Sequence, residues 1–393
     1  MPWKDVRPMD HRIVFIADYV RGGHSVTELC ALHGISRKTA YKWLSRYEQL
    51  GLEGLADHSR RPHHSPERVA YAIRQAILEF RRRGNLIMGP KKIRRLLEQR
   101  FPGQALPSKT TIYNVLKSEG LVRPRRPRQR VPPSASPFAP AGAVNEVWSV
   151  DFKGQFVLGN RRWCYPLTVM DHHSRYLICC QGLGSTAGRP ARKVFERCFR
   201  EYGLPRRIRS DNGTPFAART AGGLSHLAVW WVRLGIVPER IKPGKPQQNG
   251  RHERMHRTLK KAATRPAQGS FKVQQQHFEQ FRYSYNHERP HESLNQDTPA
   301  THYQPSERAY PEQLPELEYP GFYRLKRVSP GGAIYFANRM VYLSHVLAGE
   351  TVGLCQLDEH VWDVYFGPLR LGGFDLATPN TKSKRRDYLS ISV

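Results

Sequence analysis

Acidic residues are scarce in this chain. Across 393 residues, 33 Asp and Glu stand against 63 Lys and Arg, a formal net charge of +30. An excess of that size draws polyanions and leaves the fold undetermined. Nucleic acid is the expected partner. An anionic membrane surface is the weaker reading, because no amphipathic anchor accompanies the charge. Cysteine is sparse as well: six residues, Cys179 and Cys180 adjacent, and no C-x-x-C pair. That pattern argues against a zinc finger and a disulfide framework. It fits a reducing cytosol, with most of the six serving as small core residues. Long apolar runs are missing too. No segment approaches the ~20 residues that span a bilayer, and Met1-Pro-Trp-Lys-Asp-Val-Arg-Pro8 lacks the apolar run of a signal peptide. No membrane association is expected, and a cytoplasmic location is.

What is present reads as several folded domains. The hydrophobic content of 39% supports packed cores, and the length suits two to four of them. Ile13, Phe15, Ile16, Tyr19 and Val20 fall at helical spacing. Ser25 with Glu28 forms a capping box that starts a second helix, Gly34 makes a turn, and Ser36 caps a third over Arg37–Tyr47. This is a helix-turn-helix, with Arg37, Lys38, Tyr41 and Lys42 outward at the end that normally enters the major groove. The plainer alternative is a helical hairpin with a solvated basic face. A second helical unit is expected from Pro66, through Val69, Ile73, Ile77 and Phe80, then from Gly89-Pro90 and from Ser108 to Lys117. Next, Leu121–Pro133 holds five arginines and no acid. Its prolines keep it extended, so Arg125 and Arg126 are expected along phosphates or in a minor groove. A merely solvated linker is the alternative.

From Val144 the pattern becomes α/β. Strands are expected at Trp148–Val157, Trp163–Met170, Arg175–Cys180, Arg207–Ser210 and Gly235–Glu239. Helices are expected at Pro190–Tyr202, at Gly223–Leu234 and around Glu253. This order implies a mixed sheet. The tail from Gly321, with short runs parted by glycine turns, reads as a small β barrel. The expected fold is therefore multidomain: an N-terminal all-α tandem helix-turn-helix, a central α/β core and a C-terminal small β barrel. Expected boundaries are 1–60, 61–123, a basic linker over 124–143, a core over 144–305 and a last domain with a basic tail over 306–393.

Three acids stand out in this basic chain. Asp151 would sit in the middle of the first strand, Asp211 at the end of the adjacent fourth, and Glu253 on a helix. Carboxylates are hard ligands suited to Mg²⁺ or Mn²⁺, and two such ions ~4 Å apart can hold the attacking and leaving oxygens of a phosphoryl displacement. Asn249, His256, Arg257 and Lys260 share a helix face with Glu253 and are expected to hold phosphate. Asp171 is a competitor for one metal position, though Asp171-His-His-Ser-Arg175 suits a turn better.

Trp148-Ser-Val-Asp151, Ser210-Asp-Asn-Gly-Thr-Pro-Phe216 and Pro246-Gln-Gln-Asn-Gly-Arg-His-Glu-Arg-Met-His-Arg-Thr-Leu-Lys260 resemble the three motifs of retroviral-integrase-type DDE transposases of bacterial insertion sequences. Tyr285-Asn-His-Glu-Arg-Pro-His-Glu-Ser-Leu294 and Thr298-Pro-Ala300 also look like that family. The resemblance covers roughly 145–305. It implies an RNase H-like core with Asp151, Asp211 and Glu253 as catalytic metal ligands. It implies a transposase that binds double-stranded element ends, cleaves by metal-dependent hydrolysis and joins 3′ ends to target DNA by transesterification. A homo-oligomer on DNA is expected. The alternatives are a silent DNA-binding regulator and a nuclease without strand transfer. Two departures are visible. Asp211 and Glu253 stand 42 positions apart (253 − 211), which places extra residues around Ala217–Leu224. No His-His-Cys-Cys zinc module precedes the core.

Overall fold

The computed structural model describes residues 8–57, 69–84, 86–122, 138, 141–218, 220–242, 246–377 and 387–388. The chain divides into two units, Met1–Arg68 and Val69–Val393.

In the first unit, helices α1 (Pro8–Arg21), α2 (Val26–His33) and α3 (Arg37–Leu50) follow the capping signals. Ser25 Oγ accepts from the Glu28 N–H while Glu28 Oε2 accepts from the Ser25 N–H at 2.7 Å, so both halves of the capping box form. Gly34, at φ +62, takes the left-handed turn that ends α2. Ser36 Oγ caps α3 at the Thr39 N–H. Phe15, Ile16, Leu29, Ala40, Trp43 and Leu44 bury one small core between the three helices.

The second unit opens with α4 (Tyr71–Arg82), α5 (Pro90–Arg100) and α6 (Lys109–Ser118). The expected start at Pro66 lies outside the described residues, as do Arg125 and Arg126. A mixed sheet follows, built from β1 (Val147–Phe152), β2 (Phe156–Val157), β3 (Trp163–Asp171), β4 (Leu177–Leu183), β5 (Arg207–Ser210) and β6 (Val237–Arg240). Helix α7 (Gly188–Tyr202) precedes β5, and α8 (His226–Arg233) precedes β6. Helices α9 (Gly250–Ala263) and α10 (Phe271–Tyr283) come after the sheet. The strand order is β4-β3-β1-β5-β6, with β2 on β3. Pairs β1–β3 and β3–β4 are antiparallel; β1–β5 and β5–β6 are parallel. This is the RNase H-like order that the resemblance implied. One expectation shifts: the first strand ends at Phe152, so Asp151 stands one residue from its end, not in its middle. The sequence reading contained no counterpart of α10.

Each face of the sheet carries its own core. Trp148, Val150 and Ile208 pack with Phe195, Phe199 and Trp231 of α7 and α8. On the other side Met170, Leu177 and Cys180 pack with Met255, Leu259 and Phe278 of α9 and α10, and with Ile93 and Ile112 of the helical module. Period-2 alternation along β1 therefore sends Trp148 and Val150 to one core and Ser149 and Asp151 to the other face.

The C-terminal region departs from the expected barrel. It holds β7 (Arg324–Arg327), β8 (Ala333–Phe336), β9 (Arg339–Tyr342), β10 (Thr351–Gln356), β11 (Val361–Phe366), β12 (Leu369–Asp375) and β13 (Asp387–Tyr388). These form two open sheets, β12-β11-β10-β7 and β13-β9-β8, with no strand pairing between them among the described residues. A closed barrel needs every strand bonded on both sides. Here β7 is a four-residue edge carrying Arg324, Lys326 and Arg327, the charged kind of edge that resists further pairing.

Candidate active site

The parallel register of β1 and β5 sets Ser149 level with Arg209. Two residues beyond that pair, Asp151 stands next to the end of β1 and Asp211 begins the loop after β5. That loop is shaped around its carboxylate. The Gly213 N–H donates to Asp211 Oδ1 at 3.1 Å. A Cβ on Gly213 would stand 3.0 Å from Asp211 Oδ2, so glycine leaves the room the carboxylate uses. Asn212 Nδ2 donates to the Ile241 carbonyl at 2.7 Å and ties the loop to the end of β6. Further on, Ala217 and Leu224 pair in an isolated antiparallel bridge.

Glu253 lies exposed in the first turn of α9. The helix is fastened to the sheet by its next buried face. His252 lies between Ser149 Oγ, at 2.9 Å, and Thr168 Oγ1, at 2.7 Å. His256 Nε2 reaches the same Thr168 oxygen at 2.7 Å. Thr168, the cross-strand partner of Asp151, donates its own proton to the Asp151 carbonyl at 3.0 Å. A hydroxyl has one proton and two acceptor sites. With that proton engaged, both histidines donate from Nε2–H, and each Nδ1 is an acceptor. For His256 that bare Nδ1 faces Asp151 Oδ2 at 3.6 Å. Burial keeps both rings neutral, pushing His252 down to about 3 and His256 to about 2.

Burial also acts on Asp151, pushing its carboxyl up to about 7; the nearby charge of Asp211 adds to this, as does that of Glu253, while the Phe152 N–H and Lys153 oppose it. Asp211 and Glu253 thus both act electrostatically on Asp151. Among the described residues, no three His, Cys, Asp or Glu side chains converge closely enough to ligate one ion. The donor set still suits a hard divalent cation: oxygen ligands, and one carboxyl whose ionised form lacks compensation. Basic groups stand close by. Lys153 is held below its usual value by burial and by the charges of Lys260 and Arg265. Arg257 and Lys260 share the exposed face of α9 with Glu253.

Two expected phosphate contacts are corrected. Asn249 and His256 are buried, at 4% and 7% exposure. His256 is turned onto Thr168, and Asn249 Oδ1 is enclosed with no partner among the described residues. Helical spacing put them beside Glu253, but the sheet covers that edge of the helix. Asp171 is buried as well, and its oxygens are taken by the N–H groups of Asn145, His173 and Ser174 and by the Ser174 hydroxyl. It holds its own turn, as its sequence context suggested. In the first unit, Arg37, Lys38, Tyr41 and Lys42 are all exposed on the first turns of α3. Sequence reasoning missed Ser149, Thr168 and His252. The i, i+4 pair His252–His256 was visible, but its hydroxyl partners lie 84 and 103 positions away.

Comparisons with known proteins agree with this architecture. A family profile described as Integrase core domain matches residues 141–246, and a second so described matches 234–299. A Helix-turn-helix domain profile matches 11–63 and a Homeodomain-like domain profile matches 39–116. The chain is 30% identical over 196 residues to the insertion element IS407 uncharacterized 31.7 kDa protein of Burkholderia multivorans, covering 48% of this chain and 66% of that one, just under two thirds. It is 26% identical to the insertion element IS476 uncharacterized 39.2 kDa protein of Xanthomonas euvesicatoria, over 68% of this chain and 74% of that one. The Gag-Pol polyprotein of Koala retrovirus matches at 32% identity over 30% of this chain and 7% of its own length. Among solved structures, a simian T-cell lymphotropic virus intasome gives a TM-score of 0.37 at 17% identity, covering 70% of this chain and 96% of that chain. That likeness is too slight to define the fold, which rests on the sheet order above. The fold and the profile matches define an integrase-core protein with helix-turn-helix domains. These matches support the resemblance to retroviral-integrase-type DDE transposases of bacterial insertion sequences that the motifs carry.

Proposed function

We propose that this chain cuts DNA at the ends of a mobile element and joins the freed 3′-hydroxyls to target DNA. Water attacks a phosphodiester at the element end, the P–O3′ bond breaks, and the 3′-hydroxyl is released. That hydroxyl then attacks a target phosphorus, forming one phosphodiester and breaking another, with no covalent protein intermediate. The observation that supports the reading is that β1, near whose end Asp151 stands, pairs in parallel with β5, just after which Asp211 follows, while the helix bearing Glu253 is fastened to the same sheet through His252. Asp151, Asp211 and Glu253 would hold Mg²⁺ or Mn²⁺, as two ions, which supply activation of the attacking oxygen and neutralisation of the phosphate charge. Lys153, Arg257, Lys260 and Arg265 bind the scissile strand's phosphates and orient it. The His252–Thr168 contact keeps α9, and with it Glu253, at a set distance from Asp151. The exposed face of α3 reads the element end as duplex DNA. Joining two ends at one target calls for at least two copies of the chain. The names of two relatives place them in insertion elements, which agrees with this reading.

The test is incubation of the full chain with DNA carrying the element's inverted repeats, a target plasmid and Mg²⁺. Joined products that vanish with chelator are expected. Full joining with chelator present would overturn the reading.

A further inference from the structure

The segment Tyr285–Leu294, with Thr298-Pro-Ala300, has no part in the chemistry above, yet it is gripped from two sides. On its inner side Asn286, 1% exposed, bonds a single residue of the sheet twice. Its Oδ1 accepts from the Leu177 N–H at 2.8 Å and its Nδ2 donates to the Leu177 carbonyl at 3.0 Å. Leu177 opens β4, whose other edge pairs with β3, so Asn286 stands in for a missing neighbouring strand. The segment then doubles back: the His291 N–H bonds the Asp297 carbonyl and the Gln296 N–H bonds the His291 carbonyl.

On its outer side the segment meets the helical module of α4–α6. Arg83 pairs with Glu288 at 3.3 Å, Arg95 with Asp297 at 2.9 Å, and Lys91 with Glu292. Arg289 reaches the Ile87 carbonyl at 3.4 Å. Beneath these contacts Tyr285 and Phe281 share one apolar core with Leu86, Met88, Ile93 and Leu97 of the module. Acids are the scarce residue in this chain, and three of them stand here opposite three bases. Those bases lie on α5 and just after α4, so they are spent on the core. The face of α6 bearing Lys109, Thr110, Tyr113 and Lys117 is left exposed.

We propose that residues 284–302 form a two-faced coupling that fastens the α4–α6 module to the edge of the catalytic sheet, so that DNA held on α6 keeps a set position relative to Asp151. The coupling role rests on the joining reading above; the docking does not. Lys92, pushed down to about 7 chiefly by burial and then by Arg289, lies at the half-buried inner side of this seam, whose outer ion pairs stay exposed.

The test uses the full chain with Glu292→Lys and Asp297→Arg together. This change adds positive charge, which by itself strengthens DNA binding. Backbone hydrogen exchange in α5 should accelerate by about tenfold or more as the module loosens. DNA joining should fall by about tenfold, while end binding does not weaken. Adding Lys91→Glu and Arg95→Asp, which swaps the charges, should restore slow exchange and joining. Unchanged exchange in the first variant overturns the docking, whatever happens to joining. Freed exchange with undiminished joining overturns the coupling. The exchange arm needs no DNA, so the coupling and the joining reading fail separately.

Discussion

Helices α3 and α9 look alike as sequence and behave oppositely in the fold. Both follow a loop, both carry clustered Arg, Lys and His or Tyr, and both read as a polar face turned to DNA. In α3 that face is turned outward: Arg37, Lys38, Tyr41 and Lys42 are exposed, with Arg37 bonded to Thr27 at 2.9 Å and Lys42 lying over the Trp43 ring at 4.7 Å. In α9 two of the five residues of the expected face, Asn249 and His256, are interior, and so is the neighbouring His252. His252 and His256 meet hydroxyls of β1 and β3, Asn249 is enclosed, and only Glu253, Arg257 and Lys260 remain outside. The difference lies in the neighbour. α3 packs its apolar residues into a small helical core, whereas α9 lies on a sheet whose facing strands present Ser149 and Thr168. A buried polar side chain is tolerated only where such partners exist.

The contrast is broken most sharply at its outer acid. Glu253→Gln keeps the helix and removes a charge needed for metal, as do Asp151→Asn and Asp211→Asn. Each is expected to lower DNA joining by about 10³-fold or more, with end binding unchanged. Joining assays beside gel-shift titrations check this, and near-normal joining removes that residue from the site.

Asp151 should also show the cost of its position in stability. Its folded value of about 7 lies above the unfolded 3.8. Below about pH 4 both states hold the proton and nothing is lost. Between 4 and 7 the unfolded state ionises first, so native stability falls as pH rises. Above 7 the penalty is complete, on the order of 4 kcal/mol. Asp151→Asn should therefore raise the thermal midpoint of metal-free protein at pH 8 and leave it unchanged near pH 4. Divalent cation should stabilise the unaltered chain more at pH 8 than at pH 6, since ligand deprotonation precedes binding. Calorimetry across that range settles the sign.

The buried side of α9 comes next. His252→Ala leaves a cavity where a fully buried ring joined Ser149 to Thr168 and is expected to cost about 3 kcal/mol of stability. Arg257→Ala, on the exposed side of the same helix, should stay within about 0.5 kcal/mol. Urea titration of the two variants compares the faces directly, and equal losses would contradict the buried assignment. The smallest expected effects fall on α3. Arg37→Ala or Lys42→Ala should weaken end binding by about tenfold and flatten its salt dependence by about one unit, with folding intact.

Local signals in the sequence settled the local structure. Ser25, Ser36 and Ser108 each cap the helix that follows them, because an N-cap bond spans three residues and needs nothing remote. Short apolar, β-prone runs marked β1, β3 and β5, and turn residues marked their ends, so the order of the core was legible, along with the acids Asp151, Asp211 and Glu253. Pairing was not. That the short strands after Gly321 make two open sheets rather than a barrel depends on which edges stay unbonded, which no local pattern encodes. That His256 faces a threonine and not a phosphate depends on Thr168, which the antiparallel register places opposite Asp151. Helical period tells which residues share a face. Only the packed sheet decides whether that face meets water, because burial belongs to two surfaces and the sequence of either one describes half of it.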